Sequence, residues 1–194
     1  MSKYLELLRP LVQSALVHEP TVLASGVTSS FYFDGKLVTL RPDGAYYLAR
    51  YLLESIPSEE YDAIGGLTTG ADPIAAAVST LSHEFGCPKT AFIVRKERKE
   101  HGRMKRIEGP LAEGARVVIV DDVATSGGSI MDAVHAVETE RNCKVARVVA
   151  LVDRQQGAQE LFDSKGYKFT PVFTAEELGV SAEEIRAQQV AATA

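Results

Sequence analysis

Two adjacent carboxylates close a run of aliphatic residues in VVIVDDVATSGGSI. Asp121 and Asp122 lead through Val123 and Ala124 into Thr125, Ser126, Gly127, Gly128 and Ser129. Glycines let a backbone approach a ligand closely. A helix opening near Ser129 would offer unpaired N–H groups and the positive end of its dipole, a setting for phosphate. The lysine of a GxxxxGK[ST] phosphate loop is absent. Carboxylates beside a phosphate repel it unless they face something else; the vicinal hydroxyls of a ribose would serve, and so would a magnesium ion. The plainer alternative is that Asp122 caps a turn and the glycines end it. Spacing alone leaves both open.

A second stretch, RKERKEHGRMKRIEG from Arg95 to Gly109, gathers seven Lys or Arg against three Glu in a chain whose net charge is −5. A nucleic-acid patch, a solvated charge run and an anion clamp are all compatible with it. The acidic total argues against nucleic acid as the main partner, because such binding rests on neutralising phosphates.

The elements that would position these groups follow from periodicity. Leu5, Leu8, Val12, Ala15 and Leu16 predict a helix from Tyr4 to His18, with a kink or restart at Pro10. SSFYFDG and KLVTL, split by Asp34-Gly35, predict a hairpin. RPDGAYYLARYLLESI predicts a helix. From Tyr61 the chain alternates. Strands are expected at AIGGL, TAFIVRK, ARVVIVDD, VARVVALVD and KFTPVF, and helices over Pro73–His83, Ile130–Arg141 and Ala158–Lys165, before an amphipathic tail helix from Ala175 to Gln189. Continuous apolar strands alternating with helices mean an α/β fold, a mostly parallel twisted sheet flanked by helices. In such a sheet ligands bind beyond the carboxyl ends of the strands. Four polar or glycine-rich segments, GGLTTGADP, RKERKEHG, DDVATSGGS and DRQQG, end strands and should converge there.

The totals fit a single globular domain of 194 residues, 45% hydrophobic. No apolar run reaches the ~18 residues of a membrane span, and the N-terminus lacks a signal peptide's pattern. Cys87 and Cys143 fit no zinc spacing and read as buried free thiols. A cytoplasmic protein with no membrane or nucleic-acid partner is expected. His18, His83 and His135 read as surface or core residues.

VVIVDDVATSGGS resembles the phosphoribosyl pyrophosphate (PRPP) signature of type I phosphoribosyltransferases. RKERKEHG is similar to the R-K-x-x-K-x-H-G loop of the orotate phosphoribosyltransferases, LASGVTSSFYFD to their SG…S…Y…D segment, and GGLTTGADPIA and LVDRQQG to their pyrophosphate-loop and D-R-x-x-G segments. The likeness runs from about Val22 to Gly157 in the family's order.

That resemblance implies transfer of a phosphoribosyl group from PRPP to orotate in pyrimidine biosynthesis. The type I fold it implies has an N-terminal hood over residues 1–40, a PRPP-binding core over 41–174 and a C-terminal helix and tail over 175–194. It further implies that Asp121 and Asp122 meet the ribose hydroxyls, and that Val123 to Ser129 hold the 5′-phosphate. Thr68, Thr69, Gly70 and Ala71 would offer N–H groups to pyrophosphate, with Arg95, Lys96, Lys99 and His101 as its cationic contacts. Lys99, His101 and Asp122 are the implied catalytic residues. Arg154 would pair with the orotate carboxylate, for which a guanidinium fork is suited. Thr125, Tyr32 and Phe33 would touch or wall the base, and Asp153 would orient Arg154 or cap the strand end. Magnesium would ride on PRPP and pyrophosphate oxygens with waters rather than in a protein cage. A homodimer sharing its sites through the basic loop is implied as well.

The pattern is not complete. Ala24 and Thr69-Gly70 stand where many or some relatives have lysine, and Lys36 could compensate for the first. Two other classes stay in view. A purine phosphoribosyltransferase is disfavoured by Arg154, which would have no carboxylate to meet. A PRPP-sensing, nucleic-acid-binding regulator is disfavoured by the acidity outside Arg95–Arg106 and by the absence of spare length for a DNA-binding domain.

Overall fold

The computed structural model describes residues 2–17, 21–22, 28–29, 31–97 and 106–193. In chain order the elements are α1 (Lys3–Ser14), β1 (Leu16–Val17), β2 (Thr21–Val22), β3 (Thr28–Ser29), β4 (Tyr32–Phe33), α2 (Lys36–Thr39) and α3 (Pro42–Ser55). Then follow β5 (Ala63–Leu67), α4 (Ala71–Glu84), β6 (Thr90–Val94), β7 (Ile107–Glu108), β8 (Arg116–Ala124) and α5 (Gly128–Arg141). The chain ends with β9 (Lys144–Asp153), α6 (Ala158–Lys165), β10 (Phe173–Thr174) and α7 (Ala182–Thr193).

Six strands form the main sheet in the order β10-β9-β8-β5-β6-β7. All neighbours are parallel except β7, which runs antiparallel to β6 at the edge. Every residue of β5 is buried, as is most of β8 and β9. That burial is why these strands read as unbroken apolar runs rather than alternating ones. One face packs on α1, α3 and α4 around Leu8, Leu48, Ile64, Val78 and Val118; the other packs on α5 and α6 around Ile119, Val134, Val148 and Phe162. A third, small cluster joins Phe31 to Ala175, Val180 and Ile185 on the C-terminal side. The α/β class with its mostly parallel, helix-covered sheet is as the sequence predicts.

Several elements differ from expectation. Pro10 lies inside α1, which continues unbroken to Ser14, and the chain then turns into β1. KLVTL is not a strand but the single helical turn α2. The Asp34 carboxylate accepts the Lys36 N–H at 3.1 Å, and the Leu37 N–H bonds back to the Asp34 carbonyl. This local capping competes with strand formation, and β4 pairs with β1 instead. Helix α4 opens at Ala71, two residues before Pro73. The strand β8 runs past both aspartates to Ala124, because its pairing with β9 continues to Ala124↔Asp153. The last strand is only Phe173–Thr174, and the tail is a short 3-10 turn at Glu176–Leu178 followed by α7. Cys143 is buried but Cys87 is half-buried. His83 and His135 are exposed, and His18 lies outside the described residues.

Candidate active site

Asp121 and Asp122 lie on β8 and are only 9% and 7% exposed. Successive strand residues point to opposite faces, yet both carboxylates reach the same loop. Asp121 folds back so that its Oδ1 accepts the Asp122 N–H at 2.9 Å. A Cβ built on Gly70 would lie 2.0 Å from Asp121 Oδ1 and 2.5 Å from Asp122 Oδ1. The TTG loop therefore sits directly on the acidic pair, and only glycine allows that approach. Lys36 Nζ donates to Asp122 Oδ2 at 3.2 Å. Burial, and then the neighbouring charge of Asp122, pushes the Asp121 carboxyl up to about 8. One acid of the pair thus keeps a proton at neutral pH.

The segment after the pair lines a cavity of about 90 Å³ bounded by Asp121 and Val123–Ile130. Gly127 takes φ 81°, a left-handed conformation that starts α5. The first intrahelical bond is Met131 N–H to Gly127 O, at 2.9 Å. The N–H groups of Gly128, Ser129 and Ile130 therefore precede the hydrogen-bonded ladder, with no side chain capping them. Such a helix start suits an anion. A second one lies alongside at α4, where Thr68 Oγ1 donates to Asp72 Oδ2 at 2.8 Å and the Thr68–Thr69 peptide is cis.

The basic segment begins at the end of β6. Arg95 and Lys96 are exposed. Arg95 N–H donates to Arg106 O at 2.9 Å, and Arg106 Nε donates back to Arg95 O at 3.0 Å. Arg106 also pairs with Asp132 at 3.1 Å, and its N–H bonds Glu140. Arg106, given no role from the sequence, pins the base of the segment. Lys99, His101 and Ala24 lie outside the described residues.

Arg154 follows β9 and is 4% exposed. Its Nη2 donates to Phe31 O at 3.2 Å and to Gln188 Oε1 at 2.8 Å, and its guanidinium carbon lies 4.9 Å from the Phe31 ring centre. Tyr32 is half-buried, and its hydroxyl is felt electrostatically by both Lys36 and Arg154. Phe33 corrects an expectation: at 3% exposure it packs in the core with Leu8 and Val38 rather than walling the cleft. Side chains alternate along β4, so Tyr32 and Phe33 cannot both face the base. Asp153 caps the turn, its Oδ1 accepting the Gln155 N–H at 2.8 Å.

A family profile for the phosphoribosyl transferase domain matches residues 45–181. The orotate phosphoribosyltransferase of Nostoc sp. is 46% identical over 181 residues, 93% of this chain and 87% of that protein. That of Streptomyces coelicolor is 40% identical over 176 residues, 90% of this chain and 96% of that one. This chain belongs to the orotate phosphoribosyltransferase family. Among solved structures, the Mycobacterium tuberculosis orotate phosphoribosyltransferase in complex with PRPP superposes with a TM-score of 0.75 at 34% identity. It covers 92% of this chain and all of that one. Membership accounts for the combination of an acidic pair with a helix-start cradle. The sequence did not reveal Gln188, Phe31 or Arg106 as parts of the constellation, since their contacts span 34, 123 and 11–34 positions of chain.

Proposed function

We propose that this protein transfers the 5-phosphoribosyl group from PRPP to orotate, giving orotidine 5′-monophosphate and pyrophosphate. The observation that carries the reading is the buried Asp121–Asp122 pair beside the open start of α5. The bond from the anomeric carbon to pyrophosphate oxygen breaks and a bond to an orotate ring nitrogen forms on the opposite face. The nitrogen's proton leaves to solvent or the departing group. Such chemistry asks for alignment, stabilised leaving charge and exclusion of water.

The chain's residues supply these. Gly128, Ser129 and Ile130 N–H groups, with Thr125 and Ser126, hold the 5′-phosphate. Asp122 accepts from a ribose hydroxyl in exchange for Lys36, and its charge offsets the sugar's developing cation. Residues Thr68 to Ala71 hold pyrophosphate. Arg95, Lys96, Lys99 and His101 follow from the resemblance and close over it, excluding water. Arg154 meets the orotate carboxylate. The oxygen donors facing the site, Asp121 and Asp122, would suit magnesium carried on the substrate with its waters, and the ion would supply charge neutralisation on the leaving pyrophosphate. Among the described residues no group of three or more His, Cys, Asp or Glu could hold a metal, and no helix is long and apolar enough to cross a membrane. We read the enzyme as a cytoplasmic homodimer whose basic segment serves the neighbouring site.

Purified protein with magnesium and PRPP should deplete orotate's ultraviolet absorbance; turnover of hypoxanthine or uracil instead would reject the assignment. Lys99→Ala should lower turnover by roughly a hundredfold or more with little change in Tm. Mixing Lys99→Ala with Arg154→Ala protein should restore activity in some mixed dimers if the sites are shared; no recovery would reject sharing.

A further inference from the structure

Reading Arg154 as the carboxylate partner leaves one buried group to explain. Gln188 lies within α7 and is only 5% exposed, although glutamine on a peripheral helix ordinarily faces water. Its side-chain oxygen accepts from Arg154 Nη2 at 2.8 Å and also from Gln156 Nε2. A guanidinium and an amide N–H thus converge on one oxygen, an arrangement suited to a carboxylate oxygen. The amide oxygen of Gln188 is a weaker acceptor than a carboxylate, whose charge-assisted bonds are about twice as strong. Burial holds the Arg154 pKa below its ordinary value, opposed by the Tyr32 hydroxyl, so the site is poised for a negative charge.

Among the described residues, the helix carrying Gln188 joins the small cluster rather than the two large ones. Ile185 reaches the small cluster with Phe31, Ala175 and Val180, and Gln189 Nε2 donates to Gln155 O at 2.6 Å. Elements with few buried contacts open at low cost.

We propose that Gln188 is a built-in stand-in for the substrate's carboxylate, occupying the donors of Arg154 and Gln156 in the free enzyme and yielding them when orotate arrives. The inference rests on the preceding assignment of Arg154. It makes Gln188 a specificity-determining residue that keeps a buried guanidinium satisfied between turnovers. Because binding exchanges one acceptor for another, Gln188 also lowers the advantage that a carboxylate gives.

Orotidine 5′-monophosphate and UMP differ only in that carboxylate, so the ratio of their affinities, read by calorimetric titration, isolates this exchange. Gln188→Met keeps the shape and removes the acceptor. The ratio should rise roughly fivefold, the worth of one ordinary hydrogen bond. Gln188→Glu places a permanent carboxylate on the same donors and should lower the ratio roughly tenfold or more. A fall in Gln188→Met would make Gln188 a support for Arg154 and overturn the proposal. Changed Tm with an unchanged ratio would make it merely structural and overturn the proposal too. Gln156→Met, which leaves the helix intact, should lower the ratio even if the Gln188 variants fold poorly; no change there also overturns it. Arg154→Ala separates the two readings. If it leaves the ratio intact, the assignment of Arg154 fails. If it collapses the ratio while the glutamine variants do not move it, only the stand-in fails.

Discussion

The proposed phosphate end of the cleft comes from one unbroken stretch, Asp121 to Ser129, on a buried strand and the helix that follows it. The proposed base end draws on Phe31 and Tyr32, on Arg154 and Gln156, and on Gln188, which the fold brings together from three distant segments. The first is backed by two large clusters of buried side chains, the second in part by the small cluster around Phe31. In the proposed assignment the fixed half of the substrate, a sugar phosphate, meets backbone set by the sheet. In the same assignment the half that must be told from other bases meets side chains drawn from separate elements. Precision on a sheet and adaptability at its margin are separate physical requirements, and here they occupy separate places.

The contrast can be broken from either side. The largest effect is expected at Gly70. Gly70→Ala puts a methyl 2.0 Å from Asp121 Oδ1. Displacing the carboxylates by about an ångström should cost roughly a hundredfold in kcat/KM, measured by orotate depletion, and overpacking about 1–3 kcal/mol in stability. Next, Arg154→Lys should raise the orotate KM by roughly ten- to a hundredfold, the worth of a charged hydrogen bond, while leaving the KM for PRPP within about twofold. Equal changes in both would mean the two ends are not separate.

Stability offers a third comparison. Ile119→Ala beneath the phosphate end should cost about 2–5 kcal/mol and lower the global Tm. Ile185→Ala should mainly speed amide exchange in α7, with a much smaller Tm shift. If both lower Tm equally, α7 is part of the cooperative core. A fourth comparison concerns pH. Asp121 is raised from 3.8 to about 8, so the folded chain holds a proton that the unfolded chain has lost. Stability from this group therefore falls as pH climbs from about 4 to about 8 and levels off above. Asp121→Asn should flatten that slope, so that its Tm gains on the parent's between pH 5 and pH 8; parallel profiles would show that Asp121 does not carry the proton.

What the sequence made legible follows the same division. The alternation of β5 to α6 stood out because strands buried on both faces give continuous apolar runs. The acidic pair and its glycine loop were readable because all their chemistry is contiguous. KLVTL misled because its apolar content suits a strand, while the deciding contact was an Asp34 cap; Val38 is buried but Leu37 and Leu40 are 55% and 70% exposed. The pairing of FYF with β1 depends on partners 15 and 17 positions away. Lys36–Asp122 spans 86 positions and Arg154–Gln188 spans 34. No periodicity encodes such meetings, since they exist only once the sheet has set where its strand ends lie.

The reciprocal bonds between Arg95 and Arg106 give the basic segment a definite reach. Both ends of the intervening chain start from one point at the sheet's edge. A closed loop that must go out and return can extend only about half its contour, roughly 17 Å for ten residues at 3.3–3.6 Å each. Whatever anion those cations serve, in this subunit or a neighbour, must come within that radius, plus the length of a Lys or Arg side chain, of the Arg95–Arg106 staple.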